Sequence, residues 1–121
     1  MDIKLMLFRY FCIGILNTLV HWLSFGFCFL YLDLSQGLSN VVGFFISASL
    51  SYVLNAKFNF KVKLNYLNYF IFLLALGSLS YFIGSVCDEL DANPVLTLVL
   101  SSFLNFILGF YFSKFYVFRG N

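Results

Sequence analysis

The chain has 121 residues and a formal net charge of +2; 62% of its residues are hydrophobic and only 10% are charged. A soluble domain of this length is about half apolar and about a quarter charged, so this composition leaves too few polar side chains to cover a surface in water. These numbers exclude an ordinary soluble domain and indicate a small integral membrane protein.

The apolar residues fall in four long blocks, and each block is close to the ~20 residues with which a helix crosses a ~30 Å hydrocarbon layer. The first block follows Lys4 and Arg9. It is too long for the apolar core of a signal peptide and no Ala-x-Ala-like site follows it, so we expect it to be retained. The whole chain, residues 1–121, is predicted to be one transmembrane domain. The predicted spans cover about residues 7–32, 37–56, 65–87 and 94–114.

The charged residues are segregated between the two ends of these spans. The short tips of the two hairpins hold Asp33, Asp88, Glu89 and Asp91 and no basic residue. Short loops rich in Lys and Arg stay on the cytoplasmic side of a membrane, which predicts that both termini and the middle loop are cytoplasmic. The basic residues of that side are Lys4, Arg9, Lys57, Lys61, Lys63, Lys114 and Arg119.

The two predicted hairpins resemble each other in sequence. Arg9-Tyr10-Phe11 at the start of span one matches Asn68-Tyr69-Phe70 at the start of span three. The end of span two, SYVLNAKFNFK (51–61), matches the end of span four, GFYFSKFYVFR (109–119). Each unit holds two spans, so both units have the same orientation. The predicted fold class is an all-α membrane protein whose four helices form two hairpins in a parallel repeat.

Small and polar residues recur at helical spacing inside every span. The stripes are Gly14, Asn17 and His21 in span one; Asn40, Gly43, Ser47, Ser51 and Asn55 in span two; Gly77, Tyr81 and Gly84 in span three, with Ser78 and Ser85 on the adjacent face; and Thr97, Ser101, Asn105, Gly109 and Ser113 in span four.

Two interpretations of these stripes stand side by side. Gly and Ser at this spacing let transmembrane helices approach closely, and Asn adds interhelical hydrogen bonds worth about 1 kcal/mol each. Alternatively, the amides and a histidine near the middle of the membrane line a route for a polar ligand. Packing is favoured for Gly and Ser, and both interpretations stay open for the larger side chains. The candidate residues of the route are Asn17, His21, Asn40, Asn55 and Asn105.

Three cations lie within a helical turn of the hydrocarbon, namely Arg9, Lys57 and Lys114. Topology and attraction to anionic headgroups explain such residues without a site. At this depth, however, a cation also binds a phosphate more strongly because the dielectric constant is lower. A basic ring above a seam of neutral hydrogen-bonding groups suits a lipid whose phosphate carries a sugar. We therefore interpret these cations as candidate phosphate ligands.

Several kinds of site are not indicated by the sequence. No acidic residue lies inside a predicted span apart from Asp33 at the end of the first, which argues against a proton-coupled multidrug exporter. No nucleophile-and-base, P-loop, dinucleotide-binding or metal-ligand motif is present, and the three cysteines lack metal-ligand spacing. We therefore predict no enzyme, no catalytic residue, no metal, no cofactor and no nucleic-acid partner.

FRYFCIGILNTLVHW (8–22) and SNVVGFFISASLSYVLNAKFNFK (39–61) resemble the GtrA-like family of small four-span membrane proteins. The matching features are Arg9, Gly14, Asn17-Thr18 and Asn40, the exit Asn55-Ala-Lys57-Phe58-Asn-Phe60, and the ending Lys114-Phe115-Tyr116-Val117-Phe118. One position departs from the pattern, because the family often has Asp where this chain has His21.

The resemblance implies movement of a polyprenyl-phosphate-linked monosaccharide from the inner to the outer leaflet, where a glycosyltransferase modifies surface polysaccharide or teichoic acid. The contacts that it implies are Arg9, Asn17, Asn40, Asn55, Lys57 and Lys114. We expect a multi-pass protein of the bacterial inner membrane that forms a homo-oligomer, such as a dimer, because four spans enclose little volume. The alternative is an anchor or scaffold that recruits a polyprenyl-phosphate glycosyltransferase without transporting lipid.

Overall fold

The protein is described by a computed structural model that covers residues 3–59 and 66–112. Four helices make up these residues: α1 (Ile3–Gly26), α2 (Gln36–Leu54), α3 (Tyr66–Glu89) and α4 (Pro94–Phe112). Helix α1 continues as a π-helical turn, Phe27–Tyr31, and α2 continues as a second one, Asn55–Asn59. All four helices are long and apolar enough to cross a membrane. This confirms the predicted all-α membrane protein with four spans.

Local side chains explain where the two hairpin tips turn. The Ser35 hydroxyl accepts from Leu38 N at 3.1 Å and caps α2, while Asn93 Oδ1 accepts from Val95 N at 2.9 Å beside the start of α4. Pro94 is the first residue of α4, where its missing N–H costs nothing. Asp33 and Asp91 have φ values of 55° and 51°, the left-handed conformation that ends a helix.

Helix α2 is the central element, packed along both α1 and α3. Its Phe44, Ala48 and Tyr52 form a buried cluster with Tyr10 of α1 and Phe72 of α3, among others. The outer surface is apolar instead of charged, as expected for helices in hydrocarbon. Its large side chains include Leu23, Leu30 and Phe82, which are exposed by 74%, 72% and 65%.

Helices α2 and α3 approach so closely at one point that no side chain fits between them. A Cβ placed on Gly84 would lie 2.6 Å from the Gln36 carbonyl oxygen and 2.7 Å from the Gly37 Cα. The backbones therefore touch here, which is the role of glycine at transmembrane helix crossings.

The predicted polar face of span three is wrong in part. Gly77 and Gly84 are buried, but Tyr81 is 48% exposed and Ser78 is exposed, with its hydroxyl bonded to the Leu74 carbonyl of its own helix. Ser80 is fully buried instead. A serine that donates to its own backbone needs no partner helix, so serine spacing alone does not identify the packed face.

Candidate functional site

An internal cavity of about 30 Å³ lies among the four helices. Three of the predicted amides, Asn17 of α1, Asn55 at the end of α2 and Asn105 of α4, line it together. A cavity of this volume has room for about one or two waters and is far smaller than the ~300–1,000 Å³ of small-molecule sites. The bundle thus leaves little free space beside these amides.

The three amides differ in how their hydrogen bonds are satisfied. Asn55 Nδ2 donates to the carbonyl and hydroxyl oxygens of Ser51 at 3.0 and 3.1 Å. The Oδ1 atoms of Asn17 and Asn105 are buried and have no hydrogen-bond partner among residues 3–59 and 66–112. Leaving a buried acceptor unpaired costs about 1–3 kcal/mol, so these two oxygens are suited to hydroxyl donors.

Above this cavity, toward the hairpin tips, His21 and Asn40 bond to each other. His21 Nε2 donates to Asn40 Oδ1 at 2.8 Å, and Asn40 Nδ2 donates to the Ser80 carbonyl and the Ser101 hydroxyl, both at 2.7 Å. One fully buried amide therefore joins all four helices. A Cβ on Gly43 would lie 2.6 Å from His21 Cδ2, so the imidazole occupies the space that this glycine leaves.

A second polar group lies closer to the tips. The Thr97 hydroxyl donates to Gln36 Oε1, and Gln36 Nε2 donates to the Ala92 carbonyl at 2.9 Å. The Asp88 carboxylate accepts from the backbone N–H groups of Gln36 and Gly37, each at 3.1 Å, at the N-terminus of α2. A carboxylate stabilises this end of a helix through both its hydrogen bonds and its charge.

These groups follow one another through the bundle, and we call them the polar column. Gln36 begins α2 and Asn55 directly follows it, 19 residues further on, which is ~28 Å at 1.5 Å per residue and close to the thickness of the hydrocarbon layer. The column consists of Asn55, Asn17, Asn105, Ser80, Asn40, His21, Ser101, Gln36 and Thr97.

Two of the three predicted phosphate ligands lie at the π-helical turn that follows α2: Lys57 belongs to the turn and Arg9 contacts it. Arg9 Nη1 donates to the Phe58 carbonyl at 3.3 Å, and Lys57 is exposed with Nζ 5.5 Å from the centre of the Phe58 ring. A surface groove of about 340 Å³ runs along Arg9 and Phe58. The third predicted ligand, Lys114, lies outside the described residues.

The family model described as GtrA/DPMS, transmembrane domain, matches residues 9–118. The chain belongs to this family. The resemblance seen in the sequence is confirmed, and the match covers all four helices of the fold except the first turns of α1.

Curated relatives of this GtrA/DPMS domain cover nearly its whole length. A bactoprenol-linked glucose translocase of Shigella flexneri is 42% identical over 112 residues, or 93% of this chain and 90% of that protein. A bactoprenol-linked glucose translocase of Salmonella phage P22 is 39% identical over 111 residues, 92% of each chain. Escherichia coli K12 has a prophage bactoprenol-linked glucose translocase homolog that is 40% identical over 92% of each chain. The names describe transporters. No solved structure matches the chain.

The GtrA/DPMS fold separates the candidate route residues into two groups. Asn17, Asn55 and Asn105 line the cavity, whereas His21 and Asn40 are bonded to each other within the helix packing. His21, Asn40 and Asn55 are buried, and Asn17 and Asn105 are partly exposed.

The sequence interpretation missed Gln36, Ser80 and Asp88. Gln36 and Asp88 sit at the hairpin tips, where a polar residue gives no periodic signal because loops are polar as well. Helix α3 continues through Asp88 and Glu89, past the predicted end of span three. The position of Ser80 in the sequence shows no distinctive spacing. Ser80 matters because its backbone carbonyl accepts a hydrogen bond from Asn40.

Proposed function

We propose that this chain moves a polyprenyl-phosphate-linked sugar from the inner to the outer leaflet of a bacterial inner membrane, for glycosylation of a surface polysaccharide or teichoic acid. Bactoprenol-linked glucose is the substrate to test first, because it is the one in the names of relatives 39–42% identical to this chain. The observation that carries the proposal is the convergence of Asn17, Asn55 and Asn105 on one internal cavity.

In this proposal the lipid phosphate binds at the basic end of the bundle. A guanidinium has five N–H donors, so the bond from Arg9 to the Phe58 carbonyl holds it in place and leaves donors for a phosphate. Lys57 lies beside the same residue, and Lys114 is assigned the same role by its position in the sequence. Charge-assisted bonds to phosphate are about twice as strong as neutral ones, which fixes the lipid before its sugar moves.

The sugar passes along the polar column. Its hydroxyls donate to the unpartnered amide oxygens of Asn17 and Asn105, so the ligand recovers the cost of burying them. Asn55 contributes at the phosphate end, and His21 and Asn40 form the next polar layer toward the tips. Because the cavity is small, the helices must separate for a hexose to enter.

The protein needs no catalytic step in this role, and we propose that it is not an enzyme. Consumption of the lipid by a glycosyltransferase on the outer side draws the exchange forward. A homodimer would enclose more volume than one four-helix unit, and we propose this oligomeric state as well.

Reconstitution tests the proposal directly. The purified protein is placed in liposomes with radiolabelled polyprenyl-phosphate-glucose, and the sugar exposed outside is measured with a membrane-impermeant oxidant of vicinal diols. We expect the oxidised fraction to rise from about half to nearly all of the lipid, whereas protein-free liposomes stay at about half. If the protein leaves the fraction at half, it does not transport, and the scaffold alternative is supported instead.

A further inference from the structure

The seam between α1 and α4 is open toward the lipid. A groove of about 560 Å³ runs along it. Its walls are almost entirely apolar, with Thr18 and Ser102 as the polar exceptions. The groove, which we call the lateral groove, is lined by Phe11, Ile15, Leu19, Phe103 and Ile107, with Gly14 and Phe106 at its floor.

The floor of the lateral groove separates it from the cavity of the amides. A Cβ placed on Gly14 would lie 3.2 Å from two carbons of the Phe106 ring, so the ring rests on the α1 backbone. The same ring makes an edge-on contact with Tyr10, whose side chain lines the cavity, at 5.3 Å between centroids. Asn105 precedes Phe106 in α4. One partly exposed aromatic ring thus lines the lateral groove and also contacts Tyr10 of the cavity wall.

The seam between α2 and α3 is closed by much stronger contacts. Gly84 lies against the backbone of Gln36 and Gly37, and the Asp88 carboxylate bonds to both of those residues' N–H groups. Asn40 adds a bond to the Ser80 carbonyl within the same seam. Parting α2 from α3 breaks these buried bonds. Parting α1 from α4 moves Phe106, breaks the Trp22 indole bond to Ser102 and separates the rings of Tyr10 and Phe110, whose centroids are 4.9 Å apart.

A lipid-linked sugar has to reach the cavity from the side. Its headgroup is covalently attached to a chain that stays in hydrocarbon, so the linkage crosses the wall of the bundle at whatever seam the sugar uses. The chain is apolar, so the protein surface beside that seam has to be apolar as well, and the chain packs on it by van der Waals contact as it does among lipid tails.

We propose that the α1–α4 seam is a lateral gate for the sugar headgroup, that Phe106 closes it on Gly14, and that the lateral groove holds the isoprenoid chain. This inference rests on the proposed function and identifies where the lipid passes the bundle. The chain lies in the groove while the sugar is at the amides behind Phe106.

Reversible crosslinking of the seam tests the gate. In a background with Cys12→Ser, Cys28→Ala and Cys87→Ala, the pair Gly14→Cys with Phe106→Cys is joined by a short bifunctional thiol reagent whose disulfides dithiothreitol cleaves. The matched control joins Gly77→Cys with Phe45→Cys across the α2–α3 seam, where a Cβ on Gly77 lies 2.9 Å from the Phe45 ring.

We expect the α1–α4 crosslink to slow polyprenyl-phosphate-glucose exchange at least tenfold and dithiothreitol to restore it, while the α2–α3 crosslink changes the rate less than twofold. Full exchange by the crosslinked α1–α4 pair overturns the gate, and so does an equal block by the control pair. If the reduced variants and the unmodified protein both fail to exchange lipid, the proposed function itself fails. The exchange rate of the reduced variants therefore distinguishes failure of the gate from failure of the proposed function.

Photolabelling tests the occupant of the lateral groove without transport. A polyprenyl phosphate with a diazirine near its phosphate end is irradiated with the protein, and the labelled peptides are identified. We expect label on Ile15 and Ile107, reduced at least fivefold by unlabelled polyprenyl-phosphate-glucose but not by phospholipid, and little label on the exposed Phe82 of α3. Equal labelling of Phe82 or competition by phospholipid would each overturn the assignment.

Discussion

Asn17 and Asn40 are both asparagines inside the bundle, but they differ in how their side-chain hydrogen bonds are satisfied. Asn40 is fully buried and bonds to His21, Ser80 and Ser101, so its whole amide is used in packing. The Asn17 Oδ1 atom is buried without a partner among the described residues. An unsatisfied acceptor destabilises a protein, and its presence is explained if a ligand uses it.

This difference predicts opposite effects of the same substitution. Asn17→Leu removes an unpaired acceptor, so we expect the free energy of unfolding in detergent to stay level or rise by about 1 kcal/mol, while lipid exchange in liposomes falls at least tenfold. Asn40→Leu removes three bonds, and we expect it to lower the free energy of unfolding by about 2–4 kcal/mol. Equal destabilisation by both variants would show that Asn17 is a packing residue as well.

Lys57 offers a test of the phosphate site that does not disturb packing, because its side chain is exposed. We expect Lys57→Ala to weaken binding of polyprenyl phosphate about fivefold, since one cation near an anionic group contributes about 1 kcal/mol. Lys57→Arg is the matched control and keeps binding within twofold. Binding is measured by the concentration of lipid that half-saturates exchange, and an unchanged value for Lys57→Ala would remove this residue from the site.

At the scale of helices, two glycines differ in how much space surrounds them, and the difference predicts opposite effects of an alanine substitution. Gly84 lies against the α2 backbone, whereas a Cβ on Gly26 meets nothing within 4 Å. Gly84→Ala forces two backbones apart, and we expect a loss of about 1–3 kcal/mol of unfolding free energy. Gly26→Ala should instead gain up to about 1 kcal/mol from helix propensity. Thermal unfolding in detergent measures both, and a stable Gly84→Ala variant would contradict the close approach of α2 and α3.

The two hairpin tips close in a similar way, while the duplication of the hairpins stays a prediction. Cys28 and Cys87 are both buried, and their carbonyls accept from Leu34 N at 3.1 Å and from Ala92 N at 2.9 Å. Asp33 and Asp91, both with positive φ, come just before those donors. The same closing hydrogen bond therefore ends the first helix of each hairpin.

The tip of the first hairpin is one residue longer than that of the second, and the π-helical turn accounts for the extra residue. Cys28 and Asp33 are five positions apart, whereas Cys87 and Asp91 are four apart. The extra residue falls where α1 continues as the π-helical turn Phe27–Tyr31, in which hydrogen bonds span five residues instead of four.

For the molecule as a whole, the charge distribution predicts an orientation in the membrane. In the cysteine-free background, Lys57→Cys and Leu90→Cys each place one exposed thiol at opposite ends of the bundle. We expect a membrane-impermeant maleimide added to intact spheroplasts to label Leu90→Cys and to label Lys57→Cys only after the membrane is opened. The reverse pattern would place the termini outside and would contradict the proposed direction of transport.

Much of the architecture was predictable because a membrane imposes it. Helices are the way in which a chain with these apolar blocks satisfies its backbone in hydrocarbon, so four spans follow from block length alone. The amides were found for a related reason: burying Asn17, Asn55 or Asn105 in lipid is costly, so each had to face another helix.

The sequence by itself determined the four apolar helices, their family and the four asparagines and one histidine that had to turn inward, because the cost of polar groups in hydrocarbon acts on each residue separately. The tertiary structure decided which of those residues share a cavity and which only bond to one another. It also placed Gln36 beside Thr97 and left an apolar groove along α1 and α4. Such pairings depend on how the helices are rotated and how far apart they lie. The packing of all four helices determines these quantities, and the sequence of one span does not contain them.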